Sequence, residues 1–310
     1  MKYDYTKSDV YKNRLKRGMF SYLNKKPTDI RYYIRPGDGK KVRKVLSIFL
    51  NPLEYLKRWI AYLSFSTSQS TSVRMNNDGY VKFNVDDIKG GREFLNKICT
   101  FTENKRKQCN NNQFDANNKY IIPQEEVINH PFILDFALNE DLIKIVSSYL
   151  KTIPILYAVQ LWHGGPNQLR AGSPCFHLDG LDTACVRIYI YLNDVTKENG
   201  PFSIIPKTLS KEIIKKTGYS SGVIPDQDIY DMVGEEVLVE VEGTKGTMVA
   251  GDPTQCFHYG SRIKKGERLV IIFSYSSYFH NDPEIKLSRQ LLSAHATNNR
   301  IQKMVLHGPK

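Results

Sequence analysis

Two histidines, an aspartate and an arginine stand out in the second half of the chain. His177 and Asp179 lie two apart in "SPCFHLDGLD", His258 follows 79 residues after Asp179 in "DPTQCFHYGSRIKKGER", and Arg268 comes ten residues later. An H-x-D triplet alone is commonly an ordinary imidazole beside a surface acid. Joined by a distant second histidine and no thiolate pair, it matches the facial triad of non-haem iron(II) sites, which covers one face of an octahedron and leaves three positions open. A 2-oxo acid can fill two of these and dioxygen the third. Arg268 fits that chemistry: a chelating 2-oxo diacid keeps a far carboxylate, for which a guanidinium fork is the natural bidentate partner.

The elements that would position these residues are mostly strands. Apolar runs at 155–163, 184–192, 202–206, 235–242, 246–252 and 267–278, separated by Gly, Pro, Asn and Asp, predict an antiparallel sandwich or barrel. His177 and Asp179 lie between two strands, His258 lies just past the end of another, and Arg268 opens the last strong one. Alternation puts Arg268, Val270, Ile272 and Ser274 on one face; a charged residue beginning an otherwise apolar face needs a partner if that face is interior. Alternation also puts Gln160 and Trp162 on a common face leading toward the triad. Before the strands, Tyr80–Phe83 reads as a short strand after an Asp-Gly turn, "GGREFLNKICTFTENKR" as a helix, and "DFALNEDLIKIVSSYL" as one further helix.

At 310 residues, 41% hydrophobic and 25% charged, the chain has the composition of a globular protein with one large core or one core plus an appendage. No run of about 18 apolar residues is present, so no spanning helix is expected. The first residues are charged without an apolar stretch, which does not read as a secretory signal and points to the cytoplasm. Five cysteines without a C-x-x-C argue against a disulfide framework or zinc ribbon, and Cys175 and Cys256 read as small buried hydrophobes.

Charge is concentrated at one end. Residues 1–60 carry 16 Lys and Arg against 5 Asp and Glu, a net of +11 out of +12 for the whole chain. Residues 1–44 show little periodicity and read as a basic arm. Asn51-Pro52 then reads as the cap and first position of a helix bearing Leu53, Leu56, Ile60 and Leu63 at helical spacing. Such a helix either packs on the protein's own core or lies on an anionic membrane with its Trp and Tyr at headgroup level. The expected division is therefore 1–72, arm plus amphipathic helix; 73–282, the β-rich domain; and 283–310, a C-terminal tail.

Over about residues 75–280 the sequence resembles the phytanoyl-CoA dioxygenase-like branch of the iron(II)/2-oxoglutarate oxygenases. The resemblance rests on "DGYVKF", "CFHLDG", "IYIYLNDVTKENGPFSIIP", "GTMVAGDPTQCFHYGS" and "ERLVIIFSYS", in that order. It implies a fold that is mainly β with flanking helices, built on a double-stranded β-helix (jelly-roll, cupin-like) core. It further implies iron held by His177, Asp179 and His258, and Arg268 on the distal carboxylate of 2-oxoglutarate. The implied reaction consumes 2-oxoglutarate and dioxygen, releases succinate and carbon dioxide, and hydroxylates an unactivated C–H bond. The sequence departs from the family pattern after Ile205-Pro206, where Lys207-Thr208-Leu209-Ser210 replaces Gly-Ser-His. It departs again after His258, where Gly260 replaces a hydroxyl residue and Ser261 follows. Ser261 and Gln160 remain candidates for contact with the cosubstrate. Retention of Asp179 favours hydroxylation over halogenation, which needs that coordination position open.

The expected partner is an amphiphilic or anionic substrate, either a small molecule or a lipid- or glycan-linked one, with an anionic membrane surface met through the N-terminal segment. A jelly-roll module binding nucleic acid through its basic arm is the competing reading. An intact triad with Arg268 weighs against it. A cupin-like metalloprotein that does not use 2-oxoglutarate is a third.

Overall fold

A computed structural model of the chain describes residues 40–65, 75–108, 114–115, 118–167, 174–180, 182–219, 222–260, 262–277, 292 and 295–307. The arm up to residue 39, the linker and Ser261 lie outside the described residues. The helices are α1 (Lys40–Leu50), α2 (Pro52–Ser64), α3 (Gly91–Gln108), α4 (Gln124–Ile128), α5 (Pro131–Ala137), α6 (Glu140–Leu150), α7 (Lys207–Thr217), α8 (Asp226–Val233) and α9 (Arg300–Leu306). The strands are β1 (Tyr80–Asn84), β2 (Lys119–Ile122), β3 (Ile155–Gly164), β4 (Phe176–His177), β5 (Cys185–Tyr191), β6 (Phe202–Ile204), β7 (Val223–Ile224), β8 (Val239–Val241), β9 (Thr247–Gly251), β10 (His258–Tyr259) and β11 (Arg268–Ser276).

These strands form two antiparallel sheets, the layers of a double-stranded β-helix flanked by helices. The larger runs β1-β9-β5-β11-β3-β2 and the smaller β7-β4-β10-β6-β8. Strand β11, "RLVIIFSYS", sits between β5 and β3 and is buried along its whole length. Both its faces are covered, so it lacks the polar alternation of a half-exposed antiparallel strand. Its outward residues Leu269, Ile271 and Phe273 pack with Ile188 and Ile190 of β5 under α3, α5 and α6. Its inward residues Val270 and Ile272 pack with Tyr189, Tyr191, Phe202 and Val249 between the sheets. A third apolar cluster, Phe176, Ile205, Phe257 and Tyr259 with Ile213 and Ile229, seats α7 and α8 on the far side of the smaller sheet.

Several expectations shift. The single helix expected over "DFALNEDLIKIVSSYL" is two, α5 and α6, because the Asn139 side chain accepts from the Asp141 N–H and starts a new helix. The strand expected at 235–242 is confined to Val239–Val241, after a 3-10 turn at Glu235–Val237. Helix α1 begins at Lys40, within the segment read as aperiodic, and α7 and α8 fill 207–233, which carried no assignment.

Candidate metal and anion site

The triad converges. One ligand atom from each of His177, Asp179 and His258 lies within 4.8 Å of the other two. Two very short strands achieve this, since His258 of β10 pairs across the smaller sheet with His177 of β4. Asp179 is drawn in by its backbone, whose N–H donates to the Pro253 carbonyl at 2.8 Å. That loop is itself held by Asp252, a buried carboxylate that accepts from Thr254, Tyr149 and Gln255.

The two histidines share a local device. Each ends a Cys-Phe-His tripeptide, residues 175–177 and 256–258. In each, Nδ1 lies against the carbonyl of the cysteine two residues back, at 2.8 Å for His177 and 3.1 Å for His258. A carbonyl only accepts, so the neutral ring carries its proton on Nδ1 and turns an Nε2 lone pair inward. The ring centroids are 4.4 Å apart. Burial first, then the neighbouring His177, pushes the His258 pKa down to about 3, which keeps that ring neutral. Nε2 of His177 lies 3.6 Å from Asp179 Oδ1. Two imidazoles and a carboxylate facing one point fit a divalent cation of the iron class.

The other Asp179 oxygen is engaged. Arg187, an inward residue of β5, places its guanidinium 2.5 Å from Asp179 Oδ2. Burial works against its charge, but Asp179, Tyr157 and Tyr189 together hold it firmly protonated. Tyr189 stacks on Phe202 at 4.4 Å, and its hydroxyl, pushed up to about 12 by burial, feels Arg187, Asp179 and Arg268. It therefore links the triad to the opposite end of the inner face.

At that end stands Arg268, 3% exposed, with one hydrogen bond among the described residues: Nη1 donates to the Gly200 carbonyl at 2.7 Å. Gly200 has φ +68, and a Cβ there would meet the Arg262 backbone at 2.8 Å, so only glycine presents that carbonyl without strain. Burial lowers the Arg268 pKa. Two further donors lie nearby, and the sequence reading missed one of them. Lys119 opens β2, pairs with Gly164 as Arg268 does, and holds its ammonium 4.4 Å from the centre of the Trp162 ring. Burial lowers its pKa, the Asp115 carboxylate opposes that, and the Arg268 charge adds to the lowering. The Trp162 indole N–H is buried without an acceptor among the described residues. Two cations and an orphaned N–H fit a carboxylate. An edge strand of four residues gave no sequence signal for Lys119.

Gln160 pairs with Ile272, so it shares the inner face with Trp162, half-buried. His163 points to the other face and pairs through Nε2 with Glu267 at 2.9 Å. Tyr191 donates to the Val241 carbonyl and accepts from the Phe202 N–H, which tie the two sheets together.

No protein-family model and no curated protein sequence matches the chain. Solved structures do. EctD from S. alaskensis, with 2-oxoglutarate and 5-hydroxyectoine, aligns at TM-score 0.50 and 14% identity over 69% of this chain and 77% of its own. The epimerase SnoN, in complex with Fe3+, alpha ketoglutarate and nogalamycin RO, aligns at TM-score 0.49 and 13% identity over 78% and 94%. HygX from Streptomyces hygroscopicus, with nickel, 2-oxoglutarate and hygromycin B, aligns at TM-score 0.45 and 14% identity over 67% and 87%. The EctD likeness places the jelly-roll fold of this chain beside that of a protein that binds 2-oxoglutarate.

Proposed function

We propose that the chain is a non-haem iron(II)- and 2-oxoglutarate-dependent dioxygenase, of the phytanoyl-CoA dioxygenase-like kind, that hydroxylates a small molecule. The observation that carries this reading is the pairing of two sites on one inner face: three ligand atoms within 4.8 Å, and a donor cluster around Arg268 with too few acceptors. Iron(II) with 2-oxoglutarate and dioxygen supplies oxidative decarboxylation to succinate and carbon dioxide, coupled to insertion of oxygen into an unactivated C–H bond.

In this reading His177, Asp179 and His258 hold the metal, with both imidazoles set by the Cys175 and Cys256 carbonyls. Arg268 receives the distal carboxylate of 2-oxoglutarate, Lys119 and the Trp162 N–H add donors to it, and Gln160 borders the cosubstrate. Tyr189, Phe202, Val270 and Ile272 exclude water between the two ends. Ser261 is kept as a further cosubstrate contact. The substrate is a small amphiphilic or anionic molecule, lipid- or glycan-linked.

The test needs no natural substrate. Anaerobic addition of iron(II) and then 2-oxoglutarate should give a visible charge-transfer band. Admitting air should then yield succinate without added substrate, and His177→Ala should abolish both. Iron uptake without the band would instead indicate a cupin-like metalloprotein that does not use 2-oxoglutarate.

A further inference from the structure

Helix α2 is mounted inside out. Its buried side chains are Arg58 and Ala61, while Leu53, Leu56, Ile60 and Leu63 form a stripe at i, i+3, i+7 and i+10 that is 46–71% exposed. Helix α1 continues the pattern, with Val42, Val45 and Phe49 exposed at i, i+3 and i+7. Apart from Ile121, every large exposed hydrophobic among the described residues belongs to these two helices and the elbow between them. Scattered exposed leucines are ordinary, but a continuous apolar stripe over two helices marks a surface that meets an apolar partner.

The orientation is enforced by Arg58. Its guanidinium, fully buried, donates to the carbonyls of Ile153, Pro154, Met304 and His307 and to Glu54. Turning the apolar stripe inward would carry Arg58 out to solvent and leave the buried carbonyls of Ile153, Pro154, Met304 and His307 without their donor.

What lies beside the stripe identifies the partner. Between the elbow and α9 runs a groove of about 670 Å³, whose lining includes Lys57, Arg300 and Lys303 beside Leu50, Leu53 and Met304. Its one carboxylate, Glu54, is already bonded to Arg58. The first 60 residues hold +11 of the chain's +12 charge. Cations next to an exposed Leu, Phe and Trp surface complement an anionic headgroup above its acyl chains, and the two attractions together give the two-signal binding that a peripheral protein needs. No helix among the described residues is long and apolar enough to cross a membrane.

We infer that α1 and α2 dock the protein on an anionic phospholipid surface, with Phe49, Leu53, Leu56 and Trp59 in the interface and a lipid phosphate in the groove beside Lys57, Arg300 and Lys303. This holds whatever reaction the jelly roll performs.

Flotation of the full chain with phosphatidylcholine vesicles, with and without phosphatidylserine, tests it. Binding should require phosphatidylserine and weaken as salt rises. Leu53→Gln with Leu56→Gln should release the protein, and Lys57→Glu with Lys303→Glu should weaken binding by about tenfold or more. These side chains are exposed or line the groove, so folding should survive, as an unchanged circular dichroism spectrum would verify. On vesicles, Trp59 emission should shift to the blue; Trp162, the other tryptophan, stays inside the barrel. No binding to either vesicle overturns the inference. So does a dimer that the Leu→Gln pair converts to monomer, which would make a second copy the occupant. Equal binding to nucleic acid that ignores the Leu→Gln pair overturns it as well.

Discussion

Two buried arginines sit in opposite parts of the molecule and are treated in opposite ways. Arg58, under α2, is fully buried and donates to four backbone carbonyls and a carboxylate drawn from α2, the segment before β3, and the C-terminal segment. Arg268, at the start of β11, is buried nearly as deeply and its side chain donates, among the described residues, to one carbonyl. A guanidinium has five N–H donors. Where the protein's own acceptors take them up, the arginine is a clamp; where they are left over, beside a second cation and an orphaned indole N–H, the arginine is suited to receive an anion, the role proposed for Arg268. Burial alone does not distinguish structure from function, but the count of acceptors does.

The comparison is broken most directly at Arg58. Arg58→Met should cost about 3–5 kcal/mol of folding stability, since it leaves buried carbonyls and Glu54 without their donor. Arg58→Lys should recover little, because one ammonium cannot span carbonyls from two segments and the Glu54 carboxylate. Urea denaturation with α2 followed through Trp59 emission reads both. A loss below about 1 kcal/mol would mean that the clamp is not what fixes α2.

Arg268→Met should show the reverse. Stability should hold within about 1 kcal/mol or rise, since a poorly compensated buried charge is removed. Affinity for 2-oxoglutarate should fall about 100-fold, the loss expected when one partner of a buried charge pair is truncated. Isothermal titration with iron present measures it. Lys119→Met should cost less, about tenfold, because its ammonium is shared with the Trp162 face. If Arg268→Met destabilised the fold while leaving 2-oxoglutarate affinity intact, the two arginines would belong to one class.

The sequence revealed the clamp and the anion site unequally. The triad and Arg268 were legible because metal chemistry restricts residue types and because β3, β5 and β11 announce themselves as long apolar runs. Strands β4 and β10 were not, being two residues each, too short for any alternation, although they carry both histidines. The repeated Cys-Phe-His tripeptide was visible in the sequence, but only the bond from Nδ1 to the cysteine carbonyl gives it meaning. For α2 the stripe Leu53, Leu56, Ile60 and Leu63 was plain, yet a hydrophobic period locates a face without saying whether it points in or out. What decides is Arg58, whose acceptors lie about 95 and 250 residues away in the chain, beyond the reach of local rules.

A third arginine sharpens the distinction. Arg187 is partly buried and paired with one carboxylate, Asp179, which is also the triad's anion. Without metal, that guanidinium balances the Asp179 carboxylate beside the two imidazoles; a divalent ion arriving at the triad competes with it for the same negative charge. Arg187→Met should therefore destabilise the metal-free protein by about 1–2 kcal/mol, seen as a lower melting temperature, because Asp179 loses this ion pair. The same variant should gain more from iron(II) than the parent does, since a cation that competes for that carboxylate has been removed and binding to the folded state raises stability by linkage. Melting curves with and without iron(II) for both proteins give the comparison directly. A smaller metal-induced shift in Arg187→Met would mean that the guanidinium acts by aiming the Asp179 carboxylate at the metal, and that its charge does not compete.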